Sequence, residues 1–342
     1  MNELTTKLQS GANLSREDVA AAVAALLDDG VGEDAKADFL TALAQKGETA
    51  EEIAAFALEL RARAFDPQIS GDLLDVVGTG ADMSHTFNIS SCVIFIAAAA
   101  GVAVAKHGNR AITSKCGSAD VLAALGANIE MTPGAARRCL EEVGLTFFFA
   151  PLYHPAFKKI APVRKKLAER KQRTVFNILG PLVNPARPTH QVIGVFDRAL
   201  VAKYAEVLRL LGLKHAMVVH GDGLDEFTTL GPNHVAELWG GRLEVSEKTF
   251  PYRPSDIQIS APTLRQLEGG DPAMNAQIVR NVLSGDDRGP KRDIVLLNAA
   301  AALVTAEKSP DFASGWTLAA ELIDAGAARA KLEAFVAATK RA

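Results

Sequence analysis

Apolar residues recur with a helical period over the first 65 residues of the chain. Ser15 and Asp18 have the three-residue spacing of a capping box, and Thr49 and Glu52 repeat it. Apolar positions at helical spacing follow each of these pairs. Pro67 ends the pattern, because a proline disfavours helix at the residue before it. The pattern predicts a small all-helical N-terminal domain.

From Asp72 onward, short apolar runs alternate with helical segments. Gly78-Thr79-Gly80 ends the first run, Ser90 or Ser91 can cap the helix that follows, and Gly101 can end it. The alternation of strands and helices predicts a mainly parallel α/β sheet. The predicted elements are strand 73–77, helix 92–100, strand 102–105, loop 106–117, helix 119–125, strand 216–220 and helix 294–304.

Composition and charge narrow the class of protein. The 342 residues carry a net charge of −3, which argues against broad nonspecific binding to nucleic acid or anionic membranes. The three cysteines form no CxxC pair, which suits a reducing cytosol. The N-terminus shows no secretory signal, and the longest apolar run, residues 92–104, is too short to span a bilayer. We therefore expect a soluble cytoplasmic protein.

Two loops have the composition of phosphate sites. Each leaves a predicted strand and enters a helix N-terminus, where unpaired amides and the helix dipole favour an anion. The first covers residues 78–91 and is rich in hydroxyl donors, and the second, residues 106–114, adds cations. Neither is a Walker A loop or a GxGxxG fingerprint. Two such loops favour a ligand with more than one phosphate, although each could be an ordinary strand–helix connection.

Further residues suggest a metal site and a carboxylate clamp. Asp225 and Glu226 follow a predicted strand, and paired carboxylates beside phosphates are typical Mg²⁺ ligands, although such a pair is more often surface charge. The histidines lack zinc-ligand spacing, and no GxSxG elbow occurs. The basic stretch 158–173 is most simply a solvated face, but one of its arginines could hold a carboxylate.

These motifs, in this order, resemble the anthranilate phosphoribosyltransferase family. The likeness runs from the N-terminal helices almost to the C-terminus, and several long motifs in the correct order are specific. The matching segments are DVVGTGAD (75–82), TFNISS (86–91), KHGNR (106–110), GSAD (117–120), RTVFNILGPLVNP (173–185), HGDGLDE (220–226) and KRDIVLLN (291–298).

The resemblance implies transfer of phosphoribose from 5-phosphoribosyl-1-pyrophosphate (PRPP) to anthranilate, on the route to tryptophan. It implies a nucleoside phosphorylase/phosphoribosyltransferase-like fold: a helical domain over residues 1–68, joined by helices from about 155–185, and a larger α/β domain over 69–342 with a mainly parallel sheet. It also implies Mg²⁺ as cofactor and a homodimer. No essential general base is expected, because an aromatic amine is already neutral at pH 7.

The resemblance also assigns site residues by position. Gly78, Asn109 and Arg164 should contact anthranilate, and Ser90, Asp225 and Glu226 should serve magnesium. The residues expected around PRPP are Gly78, Ala81, Asp82, Thr86, Asn88, Ile89, Ser90, Ser91, Lys106, His107, Gly108, Asn109, Arg110, Ala111, Ile112, Thr113, Ser114 and Ser118.

The first loop departs from the family pattern. The family usually has Gly-Gly-Asp-Gly, where this chain has Gly80-Ala81-Asp82-Met83, so two positions gain a Cβ that disfavours positive φ. Two alternatives remain at this point: a nucleoside phosphorylase of similar fold, which needs one phosphate pocket, and a non-enzymatic nucleic-acid-binding relative, which favours a more basic surface.

Overall fold

The computed structural model describes residues 1–80, 82, 84–111, 115–249 and 262–341. The helices of the described chain are α1 (Asn2–Gln9), α2 (Arg16–Leu27), α3 (Glu33–Lys46), α4 (Ala50–Arg61), α5 (Ile89–Ala99), α6 (Ser118–Ala124), α7 (Pro133–Val143), α8 (Ala150–Tyr153), α9 (Ala156–Glu169), α10 (Leu200–Leu210), α11 (Pro272–Ser284), α12 (Pro290–Thr305), α13 (Phe312–Asp324) and α14 (Ala327–Arg341). The strands are β1 (Leu74–Gly78), β2 (Val104–Gly108), β3 (Leu145–Phe149), β4 (His190–Gly194), β5 (His215–Gly221), β6 (Pro232–Trp239) and β7 (Arg242–Thr249).

The strands form one seven-stranded sheet in the order β3-β2-β1-β4-β5-β6-β7. The first five of these strands are parallel, and β6 and β7 complete the sheet as an antiparallel hairpin. The polar loops at the carboxyl ends of β1 and β2 therefore lie at the same edge. This edge is where ligands bind in open α/β sheets.

The sheet separates two hydrophobic cores, because alternate residues of a strand point to opposite faces. In β5, Met217 and Val219 belong to the core formed with α5, α12 and α14, whereas Ala216 and Val218 belong to the core that reaches the N-terminal helices. Helix α5 is apolar along nearly its whole length because it is enclosed on all sides.

Helix α9 adds a fifth helix to the N-terminal group. Ile160, Val163 and Leu167 lie on its buried face, in the same core as the apolar residues of α2, α3 and α4. At its surface, Lys159 pairs with Asp29 at 2.8 Å, and Lys166 pairs with Asp34. Part of the basic stretch of the sequence thus ties two distant segments together.

The sequence predicted the helical caps of the N-terminal domain correctly. Capping boxes form at Ser15 with Asp18 and at Thr49 with Glu52. The prediction of a serine cap on α5 is wrong: Asn88 precedes the helix without a side-chain cap bond, and Ser90 lies in its first turn. The Ser90 backbone instead partly offsets the rise that burial causes in the pKa of the Glu226 carboxyl, which lies far away in sequence.

Strand β2 also differs from the prediction. It begins at Val104 and extends to Gly108, so Lys106 and His107 lie in the strand and not in the following loop. Both are buried, with exposed fractions of 1% and 4%. The sequence pattern assigns these polar residues to a loop, because it does not show which buried groups they contact in the fold.

Two further features concern the cysteines and the length of the apolar helices. Cys92, Cys116 and Cys139 are buried and free. Among the described residues, none of the helices combines the length and the apolar character needed to cross a membrane.

We predict that the two capping boxes differ in their contribution to stability. Glu52 is buried, accepts the Leu14 and Thr49 amides at 2.8 and 2.9 Å, and pairs with Lys46. Glu52→Ala should lower the free energy of unfolding by about 3 kcal/mol, because it leaves a buried charge without its partner. Asp18→Ala is the matched control at the more exposed box and should cost about 1 kcal/mol. Urea unfolding followed by circular dichroism measures both, and equal losses would contradict the expectation.

Candidate active site

Two glycines at strand ends allow the Asp225 turn to lie directly on the sheet edge. Gly78 ends β1 and Gly194 ends the neighbouring β4. A Cβ on Gly78 would lie 2.4 Å from Oδ2 of Asp225, and a Cβ on Gly194 would lie 1.5 Å from its carbonyl oxygen. Both positions therefore require glycine for close approach. The same Oδ2 accepts the Gly80 amide at 2.6 Å, which ties the turn to the first polar loop.

Lys106 carries a buried charge beneath this edge. Its Nζ donates to the Val76 carbonyl at 2.6 Å and to Ser90 Oγ at 3.1 Å. Burial lowers the pKa of Lys106, whereas the carboxylates of Asp75 and Glu226 raise it. The ammonium group is thus held by two oxygen acceptors and lies within the electrostatic influence of two carboxyl groups.

Asp82, Asp225 and Glu226 influence one another electrostatically at this edge. Burial raises the pKa of Asp225 well above its ordinary value, and repulsion from Asp82 and Glu226 raises it further. Burial also raises the pKa of Glu226, while Lys106 lowers it and Asp82 raises it. Repulsion among carboxylates in a partly enclosed site is relieved by a cation.

The carboxylates do not form a complete metal site by themselves. Among the residues that the structure describes, no three His, Cys, Asp or Glu side chains converge enough to hold an ion. Asp82 also bonds locally, because it accepts from Ser84 Oγ at 2.7 Å. Asp82, Asp225, Glu226 and Ser90 provide hard oxygen atoms, which fit Mg²⁺ if phosphate oxygens complete its shell.

The second polar loop is fixed by Asp120 in the first turn of α6. One carboxylate oxygen of Asp120 accepts the Ala111 amide at 2.8 Å and the Gly117 amide at 2.9 Å. The other oxygen pairs with Arg110 at 3.0 Å. Asn109 is exposed at the start of this loop, where its Oδ1 accepts the Arg110 amide.

Asn88 links the two polar loops to α11. Its Nδ2 donates to the Cys116 carbonyl at 3.2 Å, and its Oδ1 accepts from Asn275 at 2.9 Å. Thr86 lies two residues earlier, 3.3 Å from Ser84 through their hydroxyls. The structure therefore brings the two loops of the sequence prediction together at one sheet edge.

Several predicted PRPP residues can offer only their backbone to a ligand. Ile89 and Ser91 have exposed fractions of 1% and 0%, and both point into the core. Gly108 lies so close to α6 that a Cβ there would be 2.1 Å from Ser118 Oγ. Ala81, Ile112, Thr113 and Ser114, together with Met83, lie outside the described residues.

Arg164 lies at the far end of a series of rings, which we call the aromatic run. The ring centres of His107 and His154 are 5.3 Å apart, those of His154 and Phe157 are 5.1 Å apart, and those of Phe157 and Phe176 are 6.0 Å apart. The Arg164 guanidinium lies 5.6 Å from the Phe176 ring centre. The run thus joins the end of β2 to α9.

Burial lowers the pKa of both histidines of the aromatic run. Burial lowers the pKa of His107 well below its ordinary value, and burial lowers that of His154 to about 4. The backbone near Gly180 and near Val183 partly offsets this effect for His107 and His154 respectively. The Nε2 atoms of both rings are buried without a protein partner in the described structure. Burial thus favours the neutral form of both rings.

Several residues that pack around the site were not predicted from the sequence. His154, Phe157 and Phe176 were not singled out, because no spacing links them to His107. Asp75 and Asn184 were quoted only within longer motifs, yet Asn184 donates to Asp75 at 2.9 Å in the interior. A buried acid in a strand otherwise composed of apolar residues was the available signal for Asp75.

Two sequence models of one glycosyl transferase family match the chain. The model described as the a/b domain of this family matches residues 70–329. The model described as its helical bundle domain matches residues 2–64. Together they cover nearly the whole chain in the order expected for this family.

Named relatives agree with these family models. The anthranilate phosphoribosyltransferase of Anaeromyxobacter dehalogenans (strain 2CP-C) is 49% identical over 334 residues, which cover 97% of each protein. The crystal structure of anthranilate phosphoribosyltransferase from Thermus thermophilus has a TM-score of 0.89 at 40% identity and covers 98% of this chain and 99% of its own. The Saccharomyces cerevisiae enzyme in complex with PRPP and Mg has a TM-score of 0.87 at 27% identity, covering 99% and 98%.

We predict that Gly194→Ala displaces the Asp225 turn. The added Cβ would overlap the Asp225 carbonyl, so the melting temperature should fall by an amount equivalent to about 3 kcal/mol. Gly134→Ala is the matched control, since its Cβ would meet its nearest neighbour at 3.7 Å and Gly134 lies in the first turn of α7. The control should be neutral or stabilising by about 0.5 kcal/mol. Differential scanning calorimetry compares them, and an unchanged Gly194→Ala melting temperature would refute the close approach.

Proposed function

The chain belongs to the anthranilate phosphoribosyltransferases of the glycosyl transferase family, and we propose that it transfers the phosphoribosyl group of PRPP to anthranilate. The products are N-(5-phosphoribosyl)anthranilate and pyrophosphate, on the route to tryptophan. The observation that carries the proposal is the pairing of two phosphate-type loops with an acidic turn at one sheet edge. A relative of 27% identity is described in complex with PRPP and Mg.

The two polar loops are proposed to surround the phosphate groups of PRPP. The positive N-terminal end of α5 and the loop after β2 can face phosphate oxygens, and Arg110 can add a positive charge. Lys106 is enclosed, so we propose that it acts from beneath, by holding Ser90 and balancing Glu226. The donor contacts predicted for Ala81, Ile112, Thr113 and Ser114 remain predictions.

Ser90, Asp225 and Glu226 are proposed to hold magnesium together with the donor. Their oxygen atoms are ligands that Mg²⁺ accepts, and their incomplete convergence agrees with an ion shared with pyrophosphate. Bound Mg²⁺ would neutralise charge on the leaving pyrophosphate. Asp82 lies near enough to raise the pKa of Asp225, so it is a candidate to support the same ion.

Anthranilate is proposed to bind along the aromatic run. Phe157 is partly exposed and can face the flat ring of anthranilate, and Arg164 lies at the end of the run. Burial lowers the pKa of Arg164, so a carboxylate that paired with this enclosed guanidinium would gain a strong bidentate contact. Neutral histidines beside the ring are compatible with a neutral amine.

The reaction then needs positioning and charge stabilisation more than a strong base. The C1–O bond of PRPP breaks with its electron pair leaving on pyrophosphate, and the amine nitrogen of anthranilate attacks C1 from the opposite face. The proton lost from nitrogen passes to solvent or to the departing pyrophosphate. Arg164 would orient the amine, and the amides of the two loops would stabilise the leaving group.

The relatives described above support the transferase over the two alternatives, a nucleoside phosphorylase and a nucleic-acid-binding relative. Homodimer assembly and a cytoplasmic location remain predictions from the resemblance. The domain division at residue 68 is likewise proposed. It is supported by the bounds of the two family models, which end at residue 64 and begin at residue 70.

The proposed activity is tested by the loss of anthranilate fluorescence when PRPP and Mg²⁺ are added to the purified protein. Arg164→Ala should raise KM for anthranilate by about 30-fold, the scale of a lost charge-assisted contact, and change KM for PRPP by less than about twofold. Lys165→Ala, the exposed neighbour on α9, is the matched control and should behave as wild type. Equal effects of Arg164→Ala on both substrates would remove it from the anthranilate site.

A magnesium titration tests the acidic turn separately. Asp225→Asn and Glu226→Gln should each raise the Mg²⁺ concentration for half-maximal turnover by about tenfold, because each removes an anionic ligand. Asp222→Asn, in the same turn but exposed, should leave the titration unchanged. Superimposable Mg²⁺ curves for all three variants would exclude Asp225 and Glu226 as ligands.

A further inference from the structure

The ladder between β1 and β2 is interrupted near its start. Leu74 pairs with Val104, and no further residue pair joins these two strands within the described structure, whereas five pairs join β1 to β4. In a parallel ladder of this register, the Val76 amide would next bond the Ala105 carbonyl. The Val76 carbonyl would then accept the His107 amide.

Side chains bond three of these four backbone groups instead. Asn184 Nδ2 donates to the Ala105 carbonyl at 2.7 Å, and Lys106 Nζ donates to the Val76 carbonyl at 2.6 Å. The His107 amide donates to Asp75 Oδ1 at 3.3 Å. Burial dominates and raises the pKa of the Asp75 carboxyl, although the Val76 backbone acts to lower it. The side chains of Asp75, Lys106 and Asn184 thus replace the ladder, and we call them the polar wedge.

The polar wedge is itself tightly fixed. Asn184 joins it to the interior, because its Nδ2 also donates to Asp75 Oδ2 at 2.9 Å and its Oδ1 accepts the Ala186 amide at 3.0 Å. Gln191 bridges Asp75, at 3.4 Å, and the Pro181 carbonyl, at 2.8 Å. The exposed fractions are 0% for Asp75 and Asn184 and 1% for Lys106. Buried polar groups held by this many hydrogen bonds make a rigid element.

An interrupted ladder at this place has a consequence for the site. The carboxyl ends of β1 and β2 lead into the two polar loops, at Thr79-Gly80 and at Asn109-Arg110. Continued pairing of the backbones would hold the two loop entrances at the spacing of neighbouring strands. In the polar wedge, three side chains set the distance between the two strands instead. One of them, Lys106, extends to Ser90.

We propose that the polar wedge sets the separation of the two donor loops, so that Asp75 and Asn184 are positioning residues for the phosphoribosyl donor. The inference rests on the proposed function in that PRPP is the donor. Neither residue touches the substrate in this account. Their effect passes through Lys106, Ser90 and the His107 amide.

Steady-state kinetics of two wedge variants tests the proposal. Asn184→Ala and Asp75→Asn should each raise KM for PRPP by about tenfold, equivalent to about 1.4 kcal/mol, with KM for anthranilate changed by less than about twofold. Asp75→Asn retains an acceptor for the His107 amide, so it should keep more donor affinity than Asp75→Ala. A rise shared equally by both substrates, or no rise, would overturn the proposal.

Thr339→Ala is the control for a general loss of stability. Thr339 is buried on α14, and its hydroxyl accepts the Asn128 amide at 3.0 Å, outside the wedge and the donor loops. It should lower the melting temperature as the wedge variants do, while both KM values stay within about twofold of wild type. If Thr339→Ala raised KM for PRPP as much as Asn184→Ala, the effect would be stability alone.

Wild-type structure and amide exchange test the wedge without relying on activity. If the variants do not fold, a crystal structure of the wild type decides: the Ala105 carbonyl bonded to Asn184 supports the wedge, and its bonding to the Val76 amide overturns it. In a folded Asn184→Ala variant, residues 105–107 should exchange their amide hydrogens faster than in wild type, and unchanged exchange counts against the wedge. These readouts stand even if the wild type fails to consume anthranilate, which would instead refute the proposed function.

Discussion

The buried charge of Lys106 is the constraint on which the site depends. An ammonium group with 1% exposure is destabilising by several kcal/mol unless anions and acceptors surround it. Asp75 and Glu226 provide the anions, and Val76 and Ser90 provide the acceptors. These partners come from three separate segments of the sequence: β1, the first turn of α5 and the acidic turn. Balancing one cation therefore draws β1, the start of α5 and the acidic turn to a common point.

The rest of the site follows from close packing around that point. Gly78 and Gly194 admit the Asp225 turn onto the strand ends, which leaves Asp225 beside Asp82 and Glu226. The repulsion among these carboxylates is a source of affinity for a cation, and a cation there is a source of affinity for a polyphosphate. Bound Mg²⁺ and phosphate would relieve this repulsion. The fold therefore favours binding of the proposed donor and its metal ion.

The sequence predicted the class of fold, the helical N-terminal domain and the two capping boxes, because those features follow from local spacing. It placed Lys106 and His107 in a loop, whereas they are strand residues with internal partners. The motif DVVGTGAD gave the position of Asp75 but not its bonds to Asn184 and the His107 amide, which join distant segments. The sequence did not predict the aromatic run for the same reason, because His107, His154, Phe157 and Phe176 come together only after folding. The resemblance predicted which residues surround the site. The structure adds the buried residues that hold those side chains in position.

A crystal structure of the protein with PRPP and Mg²⁺ tests the central claim most directly. The account predicts density for the pyrophosphate between the loop that follows Gly78 and the loop that begins at Asn109, with a metal ion beside Asp225 and Glu226 and with Lys106 still enclosed. Density for the donor elsewhere on the protein, or a Lys106 side chain turned outward onto the phosphates, would contradict it.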